Sequence, residues 1–229
     1  MKTSRSKRPM RVTNHRTLVG RERRARTHAR IVAAAMRVFA EKGPDAPVID
    51  DFIRAAGIAR GTFYNYFTRT DELLLAVSRS LEDELIRAIE AVIEPLEPGL
   101  ERVSSGVRLW LAWAQGDPTG CSFVVRSRFR GPLVEKQLAA DLRDGLEAGD
   151  FEFPSVAIGR DLVVGTLLEA MHRMITERVP PGYLDDVATT VLRGLGVDRR
   201  SVGRLMRRPV PEPARLGLSL EIKVPSSPR

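Results

Sequence analysis

The chain has 229 residues, 37 Lys and Arg against 29 Asp and Glu, and a formal net charge of +8. Hydrophobic residues make up 43% and charged residues 29%, which excludes global disorder and allows one large domain or two smaller ones. No apolar run reaches the ~18–20 residues that span a bilayer, and a lone cysteine, Cys121, excludes an intrachain disulfide and a Cys-type zinc site.

Residues 1–30 hold eleven Lys and Arg and one acid, Glu22, for a block charge of +10. Like-charge blocks stay disordered and serve as arms for nucleic acid or anionic membrane, or simply as solvated tails. Residues 1–24 are expected to be such an arm. From Arg23 to Lys42, Ile31, Ala34, Ala35, Val38 and Phe39 recur at helical spacing, and Gly43-Pro44 stops the helix. A short segment from Pro47 to Ala56 follows, with Asp50 and Asp51 in its first turn, where the helix dipole favours acids. Gly57 breaks it, and a third short helix is expected over 59–66. Thr70 reads as the cap of a long helix carrying Leu74, Val77, Leu81, Leu85 and Ile89, ended by Pro95 and Pro98.

Beyond Pro98 the pattern stays helical. Val103, Val107, Trp110 and Ala114 form one stripe, closed by a turn over 116–120. Segments over 121–130 and 133–147 follow. The stretch 155–177 is apolar on nearly every side, so it should be covered on two faces. A final helix after Pro180-Pro181-Gly182 carries Leu184, Val187, Ala188, Val191, Leu192 and Leu195. The fold class is all-α. Residues 198–229 add a second basic block of +5, which leaves −7 for residues 31–197. Within this tail, Leu216, Leu218, Leu220, Ile222 and Val224 alternate at a strand period, among prolines that favour disorder.

The informative stretch is Phe52 to Phe67, F-I-R-A-A-G-I-A-R-G-T-F-Y-N-Y-F. Two short helices around a Gly57-Ile58 turn make a helix-turn-helix, whose second helix enters the major groove. At about 100° per residue, Phe63 and Phe67 point to a core. Gly61, Thr62 and Asn65 face the opposite way, with Arg60 and Tyr64 on the flank. Arg60 is the natural base reader, because its fork matches guanine O6 and N7. Thr62, Tyr64 and Asn65 suit phosphate or sugar contacts that fix register, and Tyr66 completes the DNA-binding set.

Residues 28–75 resemble the DNA-binding module of the tetracycline-repressor (TetR) family without a gap. Glu41-Lys42-Gly43 matches the end of its first helix, Asp51-Phe52-Ile53 its second and Ala56-Gly57-Ile58 its turn. Gly61 to Phe67 matches its recognition helix, and Asp71-Glu72-Leu73 opens its fourth. Val191 to Gly196 resembles the family's closing helix. There are departures too. Pro47-Val48, Ala59 and Thr70 stand where the family usually has Thr, Ser and Lys able to reach phosphates, and Pro44 replaces a common aromatic. The expectation is that the arginine-dense arm (Arg16, Arg21, Arg23, Arg24, Arg26) supplies the missing phosphate contacts.

Charge places a basic arm at 1–24 and a basic, Pro-rich tail at 198–229, and the resemblance implies a helix-turn-helix domain (25–69) and a ligand-binding and dimerisation domain (70–197) between them. It implies a homodimer joined through its last two helices on a palindrome-like operator of double-stranded DNA, a repressor released by a small-molecule effector; the lone cysteine is what points to a reduced, cytoplasmic setting. The two-faced 155–177 helix fits packing on its own domain and on a partner. Trp110, Trp113, Phe123, Phe129, Met171 and Met174 are the candidate pocket lining, with plain core as the alternative. Arg126, Arg128 and Arg130 could meet an anionic ligand or form a solvated face. His172 suits an interface, and Cys121 a redox sensor or an inert core thiol. No enzyme motif (GxSxG, P-loop, GxGxxG, HExxH) is present, and no cofactor or metal is expected. Membrane binding through the basic tails is the rival reading, and it leaves the polar face of the second short helix without a role.

Overall fold

The computed structural model describes residues 15–43, 46–127 and 132–209, and among these the regular structure is helical throughout. Helix α1 spans His15–Lys42. It starts eight residues before Arg23, so residues 15–24 continue a helix instead of forming an arm. Arg21, Arg23 and Arg24 are good helix formers on a solvent face, and an exposed helix end leaves no apolar stripe to read. Helix α2 (Ile49–Ala56) packs on α1 through Phe39 and Phe52, 5.0 Å between ring centroids, and α3 (Arg60–Tyr64) adds Phe63 to the same core, all three fully buried. Gly57 ends α2 in the left-handed region at φ 59°, and its N–H bonds back to Arg54 O. That conformation strains any side-chain-bearing residue, so the tight corner requires glycine.

Helix α3 is shorter than the expected 59–66, because Asn65 and Tyr66 turn back under bonds to Thr62 O and Phe63 O. Helix α4 (Thr70–Ile93) starts at Thr70 instead of being capped by it. Its N-terminus is held by Glu72, whose carboxylate accepts from the Thr68 N–H and hydroxyl at 2.8 and 2.9 Å. Helix α5 (Leu100–Gly116) follows Gly99, where φ is 81° and an added Cβ would sit 2.8 Å from Gly145 Cα. The expected turn over 116–120 shrinks to Asp117. Pro118 opens α6 (Pro118–Ser127), and Asp117 Oδ1 accepts from the Gly120 N–H at 2.8 Å. An Asp-Pro pair at a cap and first helical position explains the early start.

Helices α7 (Pro132–Glu147), α8 (Val156–Thr176) and α9 (Tyr183–Gly194) lie close to expectation. Helix α10 (Arg199–Met206) is unexpected, lying inside the segment read as a basic tail. Asp198 caps it by accepting from Arg200 and Ser201, and Val202 and Leu205 are buried against α9. The strand-period segment near 216–224 lies outside the described residues.

Two cores result. The first runs from the small helices along α4 into α6, joining Ile31, Phe63, Leu73 and Leu81 to Phe123 and Met171. The second packs α5, α7, α8, α9 and α10 around Leu111, Leu142, Val163, Val191 and Leu205. Helix α8 faces both, with Met171 in the first core and Val163, Leu167 and Ala170 in the second. The two-faced cover expected of α8 is therefore provided by its own chain. Its outer face is mixed, with exposed Asp161, Glu169, His172 and Arg173 beside Ile158, which is 51% exposed.

Candidate nucleic-acid interface and internal cavity

The outer face of α3 is built as the 3.6-residue period requires. Phe63 and Phe67 anchor it inward, while Arg60, Gly61, Tyr64 and Asn65 are exposed and Thr62 is half-buried. Space above Gly61 is open, since an added Cβ would meet nothing within 4 Å. Arg60 Nη1 donates to Asp50 Oδ1 at 3.0 Å, and its guanidinium lies 6.0 Å from the Tyr64 ring centroid. Hydrogen bonding with Tyr64 and the charge of Asp50 raise the Arg60 pKa. Asp51 has a different task. It accepts from Lys42 Nζ at 2.7 Å and from the Val48 N–H at 3.0 Å. The bond to Lys42, and then that to Val48, hold its carboxyl below the usual range. Val48 has no side-chain acceptor, so at this helix start the Asp51 carboxylate takes the Val48 N–H while the Asp51 N–H donates to the Val48 carbonyl. The two acids of α2 are thus each matched to a cation.

Beside α3 lies a groove whose second wall is α1. Gly20, Arg23, Arg24, Thr27 and Arg30 follow the i, i+3, i+4, i+7 spacing of one helix face, and they oppose Ala59, Thr62 and Tyr66. Arg24 closes one end. Its Nη2 donates to the Asn65 carbonyl at 3.2 Å, and its guanidinium lies 5.1 Å from the Tyr66 ring centroid. His28 packs on Phe67 at 5.1 Å between ring centroids, and burial, then Arg24, lower its pKa. Arginines therefore border the recognition helix on a fixed helical surface. Arg16 and the residues before it have no described side-chain placement.

A second concave site lies between α4, α5, α7 and α8, with a volume of about 80 Å³. Its apolar wall includes Ile86, Ile89, Val107, Trp110, Val163 and Leu167, and its polar lining includes Glu82, Glu90, Arg102 and Asp141. Asp141 is 7% exposed. Burial, then the nearby Glu90, push its carboxyl up to about 6 against the pull of Arg102. Burial likewise raises Glu90.

Of the six side chains expected to line a pocket, Trp110 lines this cavity. Trp113, Phe123 and Met171 belong to the first core, where Phe123 meets Phe39 of α1 at 5.3 Å between ring centroids. Met174 packs half-buried against both cores, and Phe129 lies outside the described residues, as do Arg128 and Arg130. Arg126 is exposed. His172 is exposed on α8. Cys121 is fully buried, and desolvation pushes its thiol up to about 12, which removes the redox-sensor reading.

The cavity acids were missed, although they leave a trace in the sequence. Glu82 precedes Ile86, Ile89 and Ile93 at i+4, i+7 and i+11, and Asp141 continues the stripe of Val134 and Leu138. An acid on an apolar stripe marks a buried charge that needs an explanation.

Comparison with known proteins agrees with both halves of the molecule. Residues 31–77 match the tetR family of bacterial regulatory proteins, and residues 100–208 match the tetracyclin repressor-like C-terminal domain. Among curated relatives, the HTH-type transcriptional activator FasR of Mycolicibacterium smegmatis is 24% identical over 118 residues, 52% of either chain. The fatty acid metabolism regulator protein of Bacillus subtilis is 22% identical over 63% of this chain and 81% of its own. The chain spans about half the length of the first of these relatives. Among solved structures, RolR in complex with resorcinol is 25% identical with a TM-score of 0.66, covering 83% of this chain and 98% of that one. RolR without ligand is 26% identical with a TM-score of 0.69, covering 80% and 98%. The helix-turn-helix with its exposed reading face, and the all-helical domain behind it, place this chain in the TetR family of DNA-binding transcriptional regulators.

Proposed function

We propose that the protein is a homodimeric repressor that leaves its operator when a small molecule fills the cavity between α4, α5, α7 and α8. The observation that carries this reading is the pair Phe123 and Val124 on α6. Phe123 packs on Phe39 of the DNA-reading module, while its neighbour Val124 lines the cavity. Helix α4 makes the same connection, with Leu73 and Val77 in the first core and Ile86, Ile89 and Ile93 along the cavity. A ligand that binds one arrangement of these helices better than another shifts the population of DNA-binding forms by that difference in affinity. RolR, crystallised with resorcinol, is a relative of the same shape with a small ligand bound.

In this reading Arg60 reads a base edge. Gly61 lets the duplex approach, and Thr62, Tyr64, Asn65 and Tyr66 set register on the backbone. Arg23, Arg24 and Arg30 hold flanking phosphates from α1. A two-fold dimer sets two such faces ~34–36 Å apart on a palindrome-like site. The test is a mobility shift on the protein's own promoter duplex, with the operator mapped by footprinting and the sign of regulation read from a promoter reporter in a deletion strain. Unchanged reporter output on deletion, with no footprint, overturns it; a fall in output reverses the sign to activation.

A further inference from the structure

The cavity has a more definite chemistry than an apolar hole. Two of its lining carboxylates come from facing helices, Glu90 from α4 and Asp141 from α7, and Asp141 is 7% exposed. Arg102 is the cation in the lining. Its Nε and Nη2 donate to the Leu96 and Glu94 carbonyls at 3.0 and 2.8 Å, which commits two edges of the guanidinium to the α4–α5 connection. Its Nη1 stands 3.9 Å from Asp141 Oδ1, too far for a hydrogen bond. The adjoining surface groove continues the same balance, with Glu90, Glu94, Asp141 and Asp144 around Arg102. A ligand therefore meets an excess of carboxylate on the way in and again inside.

The apolar wall and the carboxylates ask for different parts of one molecule. Trp110, Ile86, Ile89, Val107 and Leu167 suit a compact hydrocarbon or aromatic body. Carboxylates taken out of water are costly unless a cation compensates them. An ammonium group between them removes that cost, whereas a carboxylate adds to it. Resting on the reading of this cavity as the effector site, we propose that it takes a small lipophilic amine in its protonated form. The ammonium sits between Glu90 and Asp141 and the apolar body lies against Trp110, so carboxylates of the same size are discriminated against.

The experiment is calorimetric titration of the full chain at pH 7.5 with three probes of one size: benzylamine, benzyl alcohol and benzoate. Benzylamine is expected to bind at least about tenfold more tightly than benzyl alcohol, and benzoate more weakly than either. Its affinity should rise about tenfold between pH 5 and pH 7 as Asp141 ionises near 6, in the field of Glu82, Glu90, Glu94, Glu135, Asp144 and Arg102. Benzyl alcohol should show no such rise. Asp141→Asn and Glu90→Gln should each bring benzylamine towards the affinity of benzyl alcohol, and Asp141→Asn should flatten the pH profile. Equal or tighter binding of benzyl alcohol or benzoate overturns the amine proposal and leaves the effector cavity standing. Binding of none of the three overturns the amine proposal and counts against the cavity as an effector site for ligands of this size.

Discussion

Arg60 of the recognition helix and Asp50 of the helix before it are joined by a hydrogen bond of 3.0 Å between Nη1 and Oδ1. The acid orients the guanidinium, and in the proposed reading it competes with DNA for it. Asp50→Asn should therefore raise affinity for unrelated duplexes, by removing a negative charge near phosphate, and lower the ratio of operator to random-sequence binding. Arg60→Ala should cut that ratio by roughly tenfold or more, the worth of a lost bidentate base contact. Competition mobility shifts read both ratios. Specificity retained in Arg60→Ala would remove the base-reading role.

The groove between α1 and α3 makes a quantitative claim about salt. Each phosphate neutralised adds about 0.9 to the slope of log K against log salt. Arg23→Ala and Arg30→Ala should each flatten that slope by about this amount and weaken operator and random DNA alike. Arg24→Ala should do more, because Arg24 also holds the Asn65 carbonyl and covers Tyr66. Fluorescence anisotropy across a salt series measures all three.

Asp141 gives the fold a pH dependence whose sign follows from its raised pKa. Between about pH 4 and 6 the folded chain holds a proton that the unfolded chain has released, so this group's contribution to stability falls as pH rises through about 6. Asparagine mimics the protonated form. Asp141→Asn should raise the Tm at pH 7.5, and the gap should narrow below about pH 6 and close near pH 4. Thermal melts across that range decide it, and a variant less stable at pH 7.5 would refute it.

Cys121 offers a simple probe of the first core. It is fully buried, and its thiol is pushed up to about 12. A thiol reagent should label the native protein slowly at pH 8, at a rate set by opening of the structure, and label it at once in denaturant. Fast labelling of the native chain would show that α6 opens readily.

Helix α10 closes the second core. Leu205 is 6% exposed, and Arg108 donates to the carbonyls of Leu205 and Arg208 at 3.3 and 2.8 Å. Leu205→Ala should cost ~2–4 kcal/mol, read from urea unfolding. A tail that merely hangs from the domain would show no loss.

The recognition module was legible because its signals are local. Gly57 at a left-handed corner, Phe63 and Phe67 one turn apart and Phe39 on α1 each constrain the same small core. Helix α10 was hidden because its basic residues outweighed a stripe of only Val202 and Leu205. The cavity was less legible for another reason. Of the large aromatics expected to line a pocket, Trp113 and Phe123 fill the core between the reading module and α6. The cavity is walled chiefly by aliphatic residues of helices distant in sequence, and periodicity cannot bring those together. Its acids were visible as breaks in apolar stripes, a signal tied to no short motif.

Helix α4 has 24 residues, hence a rod of roughly 36 Å. One end is fastened among the aromatic rings of the reading module and the other walls the cavity. A tilt of about 5° displaces the far end of such a rod by about 3 Å, close to the ~3.4 Å spacing of successive bases. In the proposed reading, a slight tilt of α4 set at the cavity end therefore carries to the DNA-reading end as a shift of about one base step.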